Sequence, residues 1–387
     1  MTEPTSHSSS TLRNSTVKYN APWEEYQRPY VRDLAYVLSC PDVLTKWLDF
    51  VPHQDTPTIA VHNTDFWQAQ FAAYRERLNE LDTTSAYQEL TRYLLKRPSP
   101  NRLGFHFEGL LSFWLTDGYA HGLHPYEMLA NNVQLFCGKQ TTGELDLILY
   151  NHREKLTEHW ELAIKFFMGS APFAPVNWVG INSNDNLQRK MTHMQTKQFC
   201  TVWVDTENHG QVKIDKRYAV IKGHFFLPVT TVNFIYPDWL APSFPMHYWL
   251  AASNNQNNID DHSSPELTQN QNHVNNFDNT TGPLAGITDI RRAHYIEWFT
   301  QRNFYDCEYP ENNSVNSNDK ISPNLASLQQ GLYFMKVPMG HWLDNHLSND
   351  SSQAQDYYYQ DASYKEHYVP VVILQTDVNT DQDGLSD

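Results

Sequence analysis

The sequence predicts an α/β fold, a mixed sheet flanked by helices, with a helical N-terminal part and an elaborated C-terminal half. Three observations predict it. Between Gly143 and Gly169 polar and apolar residues alternate in two runs separated by the polar stretch 151–158, which is the pattern of a β-hairpin. Before it, residues 65–81 and 84–96 carry apolar side chains at helical intervals. After it, a polar helical pattern at 184–198 is followed by further strand-like runs. The order helix, three strands, helix, strand emerges over residues 101–230.

Residues 1–20 are Ser/Thr-rich and read as a disordered tail. Residues 21–100 form the helical part. Residues 32–38 have helical spacing, and Pro41-Asp42 restarts a turn or helix through Trp47 and Leu48. Phe66, Phe71, Tyr74 and Leu78 mark the next helix, and Tyr87, Leu90, Tyr93 and Leu94 another, which Pro98-Ser99-Pro100 breaks. Residues 101–116 are apolar nearly all round and should be a buried helix. Glu108 is its only acid and needs a partner, either a nearby Arg or His or a functional site. Residues 132–138 read as the first strand, before the hairpin. In 184–198, Leu187, Met191 and Met194 share one side of a helix, while Lys190, His193 and Lys197 form a mostly basic stripe. A surface stripe is preferred there over phosphate contacts by Lys190 and Lys197. Residues 201–205 and 218–227 read as strands.

The remainder, 231–377, is the C-terminal extension. Residues 234–250 are aromatic and proline-rich, either a packed loop or a binding surface. Residues 253–282 are Asn/Gln-rich and read as a disordered insertion. Residues 291–299 read as a helix, 331–337 and 367–375 as strands, 312–319 and 348–355 as polar loops, and 378–387 as an acidic tail.

The hairpin carries the chemistry. If its turn is symmetric about the midpoint of residues 153 and 154, Asp146 faces Glu161 on one side of the sheet. Adjacent carboxylates repel unless a proton or a divalent cation lies between them. Lys165 follows on the same face, roughly 13 Å along the strand. Glu144 shares the face nearer the strand start, as a solvent-facing or supporting acid. The alternative reading of such a face is plain solvation.

The order Asp146, Glu161, Lys165 on consecutive strands resembles the PD-(D/E)XK nuclease superfamily, over about residues 100–200. The phrases GELDLIL, HWELAIKFFMG and PDWLAPSFPMHYWL are similar to a bacterial family of unknown function, family 1853, from about Arg32 to Phe299. The resemblance implies a restriction-endonuclease-like sheet and Mg²⁺ (or Mn²⁺) held by Asp146 and Glu161. It also implies a catalytic lysine at Lys165 and an acid from the preceding helix, Glu108, aimed at the metal. One departure stands out: Glu161-Leu-Ala-Ile-Lys165 has three residues where the superfamily has one between acid and lysine, and Ala163 occupies the usual acid position. Either the acid has moved by one same-face step or the site is degenerate. The implied activity is metal-dependent phosphodiester cleavage of nucleic acid; the alternative is a nuclease-fold protein that only binds or assembles.

Composition sets bounds on both. With 44 acidic and 28 basic residues the net charge is −16, which disfavours a general polyanion-binding surface and leaves room only for a local basic cleft. Cys40, Cys137, Cys200 and Cys307 form no CxxC or Cys-His cluster. His121 with His124, and His341 with His346, lack a third ligand at useful spacing and read as surface or capping histidines. There is no GxSxG, no P-loop and no GxGxxG. A polar N-terminus and the lack of any apolar run near 18 residues lead to the expectation of a cytoplasmic protein with no membrane partner.

Overall fold

The computed structural model describes residues 22–51, 57–99, 102–137, 140–182, 184–231, 234–242, 244, 246–253, 289–293, 295–300, 328–338 and 366–376. The expected tails 1–20 and 378–387, the insertion beyond Ser253, the polar loops 312–319 and 348–355, His341, His346 and Cys307 lie outside them.

Four helices come first. The first, α1 (Pro29–Ser39), opens on Pro29, whose fixed φ suits a first turn, and is buried over nearly its whole length. The second, α2 (Thr64–Thr83), is capped by Asn63, whose side chain accepts the Phe66 N–H at 2.9 Å. Then come α3 (Tyr87–Leu95) and α4 (Leu103–Ala120). The Arg77 guanidinium ties these three together through Asp117 at 2.9 Å and Glu80 and Glu89 at 2.7 Å. Residues 41–48 are not a helix. Val43 donates to the Ile221 carbonyl at 2.8 Å, and Ala60 bridges Tyr218 in parallel. Both cover a stretch of strand edge that would otherwise expose unpaired backbone groups.

The sheet follows: β1 (Tyr126–Cys137), β2 (Gln140–Asn151), β3 (Leu156–Gly169), β4 (Trp178–Val179), then α5 (Leu187–His193) and a π-helix (Met194–Gln198). Next come β5 (Trp203–Thr206), β6 (Gly210–Lys213), β7 (Lys216–Pro228), β8 (Met246–Ser253), β9 (Asp289–Arg292), β10 (Gly331–Pro338) and β11 (Glu366–Thr376). Among the described residues nine strands form one sheet in the order β1-β2-β3-β7-β8-β11-β10-β9, with β4 beside β3. Neighbours β3/β7, β7/β8 and β8/β11 are parallel and the rest antiparallel. The mixed α/β architecture is as the alternation predicts.

Two expectations are corrected. The strand at 201–205 is β5, and it does not join the main sheet; it pairs with β6, and Val204, with Ile214 just after β6, packs with Leu145 and Ile148. Residues 291–299 are not a helix. Arg291 and Arg292 pair with Phe334 and Tyr333 as part of β9, and only Tyr295–Trp298 turns, as a short 3-10 helix. An available sheet edge outweighs the local helical pattern.

Strand β3 is the centre. Trp160 packs among Trp67, Trp114, Tyr126 and Tyr218 on the face covered by α2 and α4. On the other face His159 meets Phe199, at the end of the π-helix. Because β3 and β7 run parallel, the chain between them must cross over the sheet, and that crossover brings α5 and the π-helix onto the His159 face. One backbone contact sets how close β7 comes. Gly223 (φ +134°) lies opposite Lys165, and a Cβ there would sit 1.8 Å from the Lys165 carbonyl oxygen. Only glycine permits this approach. Gly223→Ala is therefore expected to lower stability by roughly 3 kcal/mol or more, at the severe end for single substitutions. A thermal midpoint within two or three degrees of wild type, from melts followed by circular dichroism, would show that β7 can retreat without cost.

Candidate active site

The hairpin β2–β3 does not stay paired. Its ladder runs from Asn151↔Leu156 to Leu147↔Trp160 and stops. From there β2 continues with β1 alone, and β3 continues with β7. The register is the symmetric one, so Asp146 and Glu161 are the first residues past the point where the strands part. Asp146 reaches across the opening, and its Oδ2 accepts the Leu162 N–H at 2.7 Å. The two side chains come close enough to share a hydrogen bond when one carries a proton.

Glu161 is buried, 1% exposed; its Oε1 accepts from the Gln198 side chain, and the Asp146 backbone N–H also stabilises its carboxylate. Its Oε2 has no hydrogen-bond partner among the described residues. His159 Nε2 is 3.4 Å from that oxygen, but burial pushes its pKa down to about 4, so the ring is neutral at pH 7 and neither nitrogen makes a hydrogen bond. Gln198 reaches Glu161 because the helix widens there: Phe199 donates to the Met194 carbonyl five residues back, at 2.9 Å. Such π-turns often occur at functional sites. Gln198 Oε1 in turn accepts from Lys190 Nζ at 3.5 Å.

Lys190 is the correction that matters most. Its stripe-mates His193 and Lys197 are exposed as expected, but Lys190 turns inward to the carboxylates. Burial lowers its pKa, and the charges of Glu161 and Asp146 oppose that shift. Lys165 is placed on the Glu161 face as predicted, yet its ammonium is taken by Asp185, at 2.5 Å, and stays 25% exposed. The lysine beside the acid pair is thus Lys190. The sequence marks it only as one of three basic positions on a helix. Gln198, His159 and Asp185 were missed altogether, because no spacing rule links them to the hairpin.

Glu108 finds the expected arginine partner. Its Oε2 lies 3.4 Å from Arg97 Nη2 and 3.3 Å from Asn132 Nδ2. Burial first, then the charge of Asp146, raises its pKa to about 7. It stands at the rim of the site rather than inside it. Asn132, at φ +51° in a strand, takes a left-handed conformation that asparagine tolerates, and its amide also donates to Glu144 at 2.7 Å. Glu144 is held by Asn132 and Gln134. His121 caps the end of α4 and His124 is buried against the Trp114 carbonyl, as structural histidines.

The match to the family model of a domain of unknown function, DUF1853, spans residues 32–267. The chain belongs to this DUF1853 family. Searches of curated proteins and of solved structures return no match. The family region begins within α1, contains α2 to α5 and every residue of the candidate site, and ends beyond β8.

Within this DUF1853 chain, no cluster of three or more His, Cys, Asp or Glu side chains among the described residues could hold a metal ion. The site therefore offers at most two carboxylates, Asp146 and Glu161, with one buried oxygen unsatisfied. That donor set fits a hard cation that keeps most of its own water, as Mg²⁺ does, and does not build a closed four-ligand centre. No helix among the described residues is long and apolar enough to cross a membrane.

The electrostatics give a test. Burial raises the pKa of Glu161 to about 7, and burial with Glu161's charge raises Asp146 well above the usual range. Without a cation the pair keeps a proton at neutral pH. A carboxyl with a raised folded pKa holds protons that the unfolded chain has lost, so its contribution to stability falls as pH rises from 4.5 to about 7. For Glu161 that is about 3 kcal/mol. The buried His62, His159, His224 and His247, with lowered pKa values, act in the opposite sense. The quantity to measure is therefore the difference between Glu161→Gln and wild type in chelator, by urea melts. The two should be alike below pH 4.5 and Gln the more stable at pH 8. A difference independent of pH would mean that Glu161 is not forced to hold a proton.

Proposed function

We propose that this protein is a metal-dependent phosphodiesterase acting on nucleic acid, similar in plan to the PD-(D/E)XK nucleases. The observation that carries the reading is the acid pair at the strand fork: Asp146 and Glu161 meet where β2 and β3 part, with a buried, unsatisfied carboxylate oxygen and Lys190 alongside. Asp146 and Glu161 would hold the cation, Mg²⁺ or Mn²⁺, which when bound polarises a phosphate and lowers the pKa of a coordinated water. Gln198 orients Glu161 by donating to Oε1 and is itself oriented by Lys190. The charged form of Lys190 offsets the negative charge that builds on a phosphate during attack. Glu108, with a pKa raised to about 7, can take or give a proton at the rim near neutral pH. Lys165, paired with Asp185, helps to fasten the start of α5 to β3 rather than acting on substrate.

The second reading is a nuclease-fold protein that binds or assembles without cleavage. The net charge of −16 favours it, because such a chain repels polyanions except where a local surface is basic.

Calorimetric titration with Mg²⁺ and Mn²⁺, paired with a cleavage assay on single-stranded and duplex DNA and RNA, separates the two. Asp146→Asn should abolish both cation binding and cleavage. Lys190→Ala should cut cleavage by about a hundred-fold or more while cation affinity holds or rises slightly. Lys165→Ala should change cleavage much less than Lys190→Ala. Cleavage lost in the Lys165 variant and kept in the Lys190 variant would reverse the lysine assignment. A wild type that binds no divalent cation and cleaves no nucleic acid would leave the binding reading.

A further inference from the structure

The acidic chain has a basic corner beside the fork. Between Arg92 and Arg102 the sequence holds Arg92, Lys96, Arg97 and Arg102 and no acid, in a protein of net charge −16. Basic residues in the last turn of α3 would suit its dipole, but α3 ends at Leu95, and Arg97 and Arg102 lie beyond it. A cleft of about 540 Å³ opens here, walled by Tyr93, Lys96, Arg97, Phe105, Asn132 and Glu144. The one acid in its lining, Glu144, is held by two amides, since Asn132 and Gln134 both donate to it. Arg97 lies flat over Gly109, where a Cβ would meet its Cδ at 2.9 Å. Its contacts to Glu108 and Asn132, at 3.4 and 3.3 Å, are long. Lys96 is exposed. Tyr93 is steadied edge-on against Phe113, 5.5 Å between centroids. Glu108, which contacts the cleft residues Arg97 and Asn132, feels the charge of Asp146 and acts on Glu161, so the cleft adjoins the acid pair.

Two cations and two aromatic rings in one groove match the way single strands are bound: charge along the backbone and rings under the bases. A duplex keeps its base faces stacked and cannot use the rings. We propose that this cleft binds a single strand of nucleic acid and leads it to the fork, with Lys96 and Arg97 on its phosphates and Tyr93 and Phe105 against its bases. The choice of ligand rests on the phosphodiesterase reading; the charge and the rings of the cleft do not.

The test is fluorescence anisotropy of labelled single-stranded DNA and RNA, about 16 nucleotides long to cover a typical site, with the full chain in chelator. Wild type should bind single strands more tightly than a duplex of the same sequence. Lys96→Glu, at an exposed position, should weaken binding about ten-fold and lower the slope of log affinity against log salt by about 0.7 or more. Phe105→Ala should weaken binding by roughly ten-fold and leave that slope unchanged. Thermal melts of both variants establish that they are folded. No single-strand binding by wild type, equal or better binding of the duplex, or an unchanged affinity in folded Lys96→Glu would each overturn the proposal. Cleavage with Mg²⁺ is scored separately. Binding without cleavage removes the phosphodiesterase reading and leaves the cleft, whereas cleavage with no effect of Lys96→Glu on affinity does the reverse.

Discussion

The parting of β2 from β3 is the constraint on which the rest depends. Up to Leu147 and Trp160 the hairpin is an ordinary antiparallel pair. Beyond it β3 keeps only the partner on its other edge, β7, with which it is paired from Glu158 onward and which Gly223 lets come close, and β2 keeps to β1. A gap opens inside a sheet that is covered on both faces. Two carboxylates placed at that gap are denied water on most sides yet are not sealed into a ladder. Asp146 covers part of the deficit by accepting a backbone N–H from the opposite branch. Glu161 is met by the Gln198 side chain and the Asp146 backbone, and its Oε2 is left to the proton the pair holds or to a cation.

This explains why the pKa shifts at the site run the way they do. Three carboxyls, Glu108, Asp146 and Glu161, are pushed up, with burial the first cause in each. One ammonium, Lys190, is pushed down by the same cause. A site with more acids than bases in a dry pocket is a site that favours positive charge, whether protons or a cation. The fold tolerates this because it is anchored elsewhere. The aromatic cluster around Trp160 and the Arg77 fork among α2, α3 and α4 lie on the other side of β3 from His159 or away from the sheet centre altogether.

The acidity of the whole chain and the basicity of one corner are compatible for a simple reason. Coulomb fields in salt decay over about 8–10 Å, so a ligand in contact with Lys96 and Arg97 senses chiefly those charges and their neighbours. Glu144, the acid nearest the cleft, is already occupied by two amide donors. Global charge therefore governs non-specific adhesion, while the local arrangement governs what can enter the groove.

By itself the sequence determined the class of fold, most of the element positions, and the opposition of Asp146 and Glu161. Those follow from short-range regularities: period-two alternation, helical spacing, and a symmetric turn whose register carries through the hairpin. That Glu144 and Glu108 find donors also follows, because an acid beside or within an apolar run must do so. Which lysine lies beside the acids follows instead from contacts between segments distant in sequence. Lys165 has the right strand and the right face, but Asp185 arrives from the crossover to take its charge. Lys190 arrives by the same crossover to take its place, helped by a π-turn that carries Gln198 onto Glu161. Strand β5 left the sheet, and residues 41–48 and 291–292 were drawn onto strand edges for a related reason. Open edges and parallel crossovers are satisfied by whatever chain is near in space, and that proximity is not written in any local pattern.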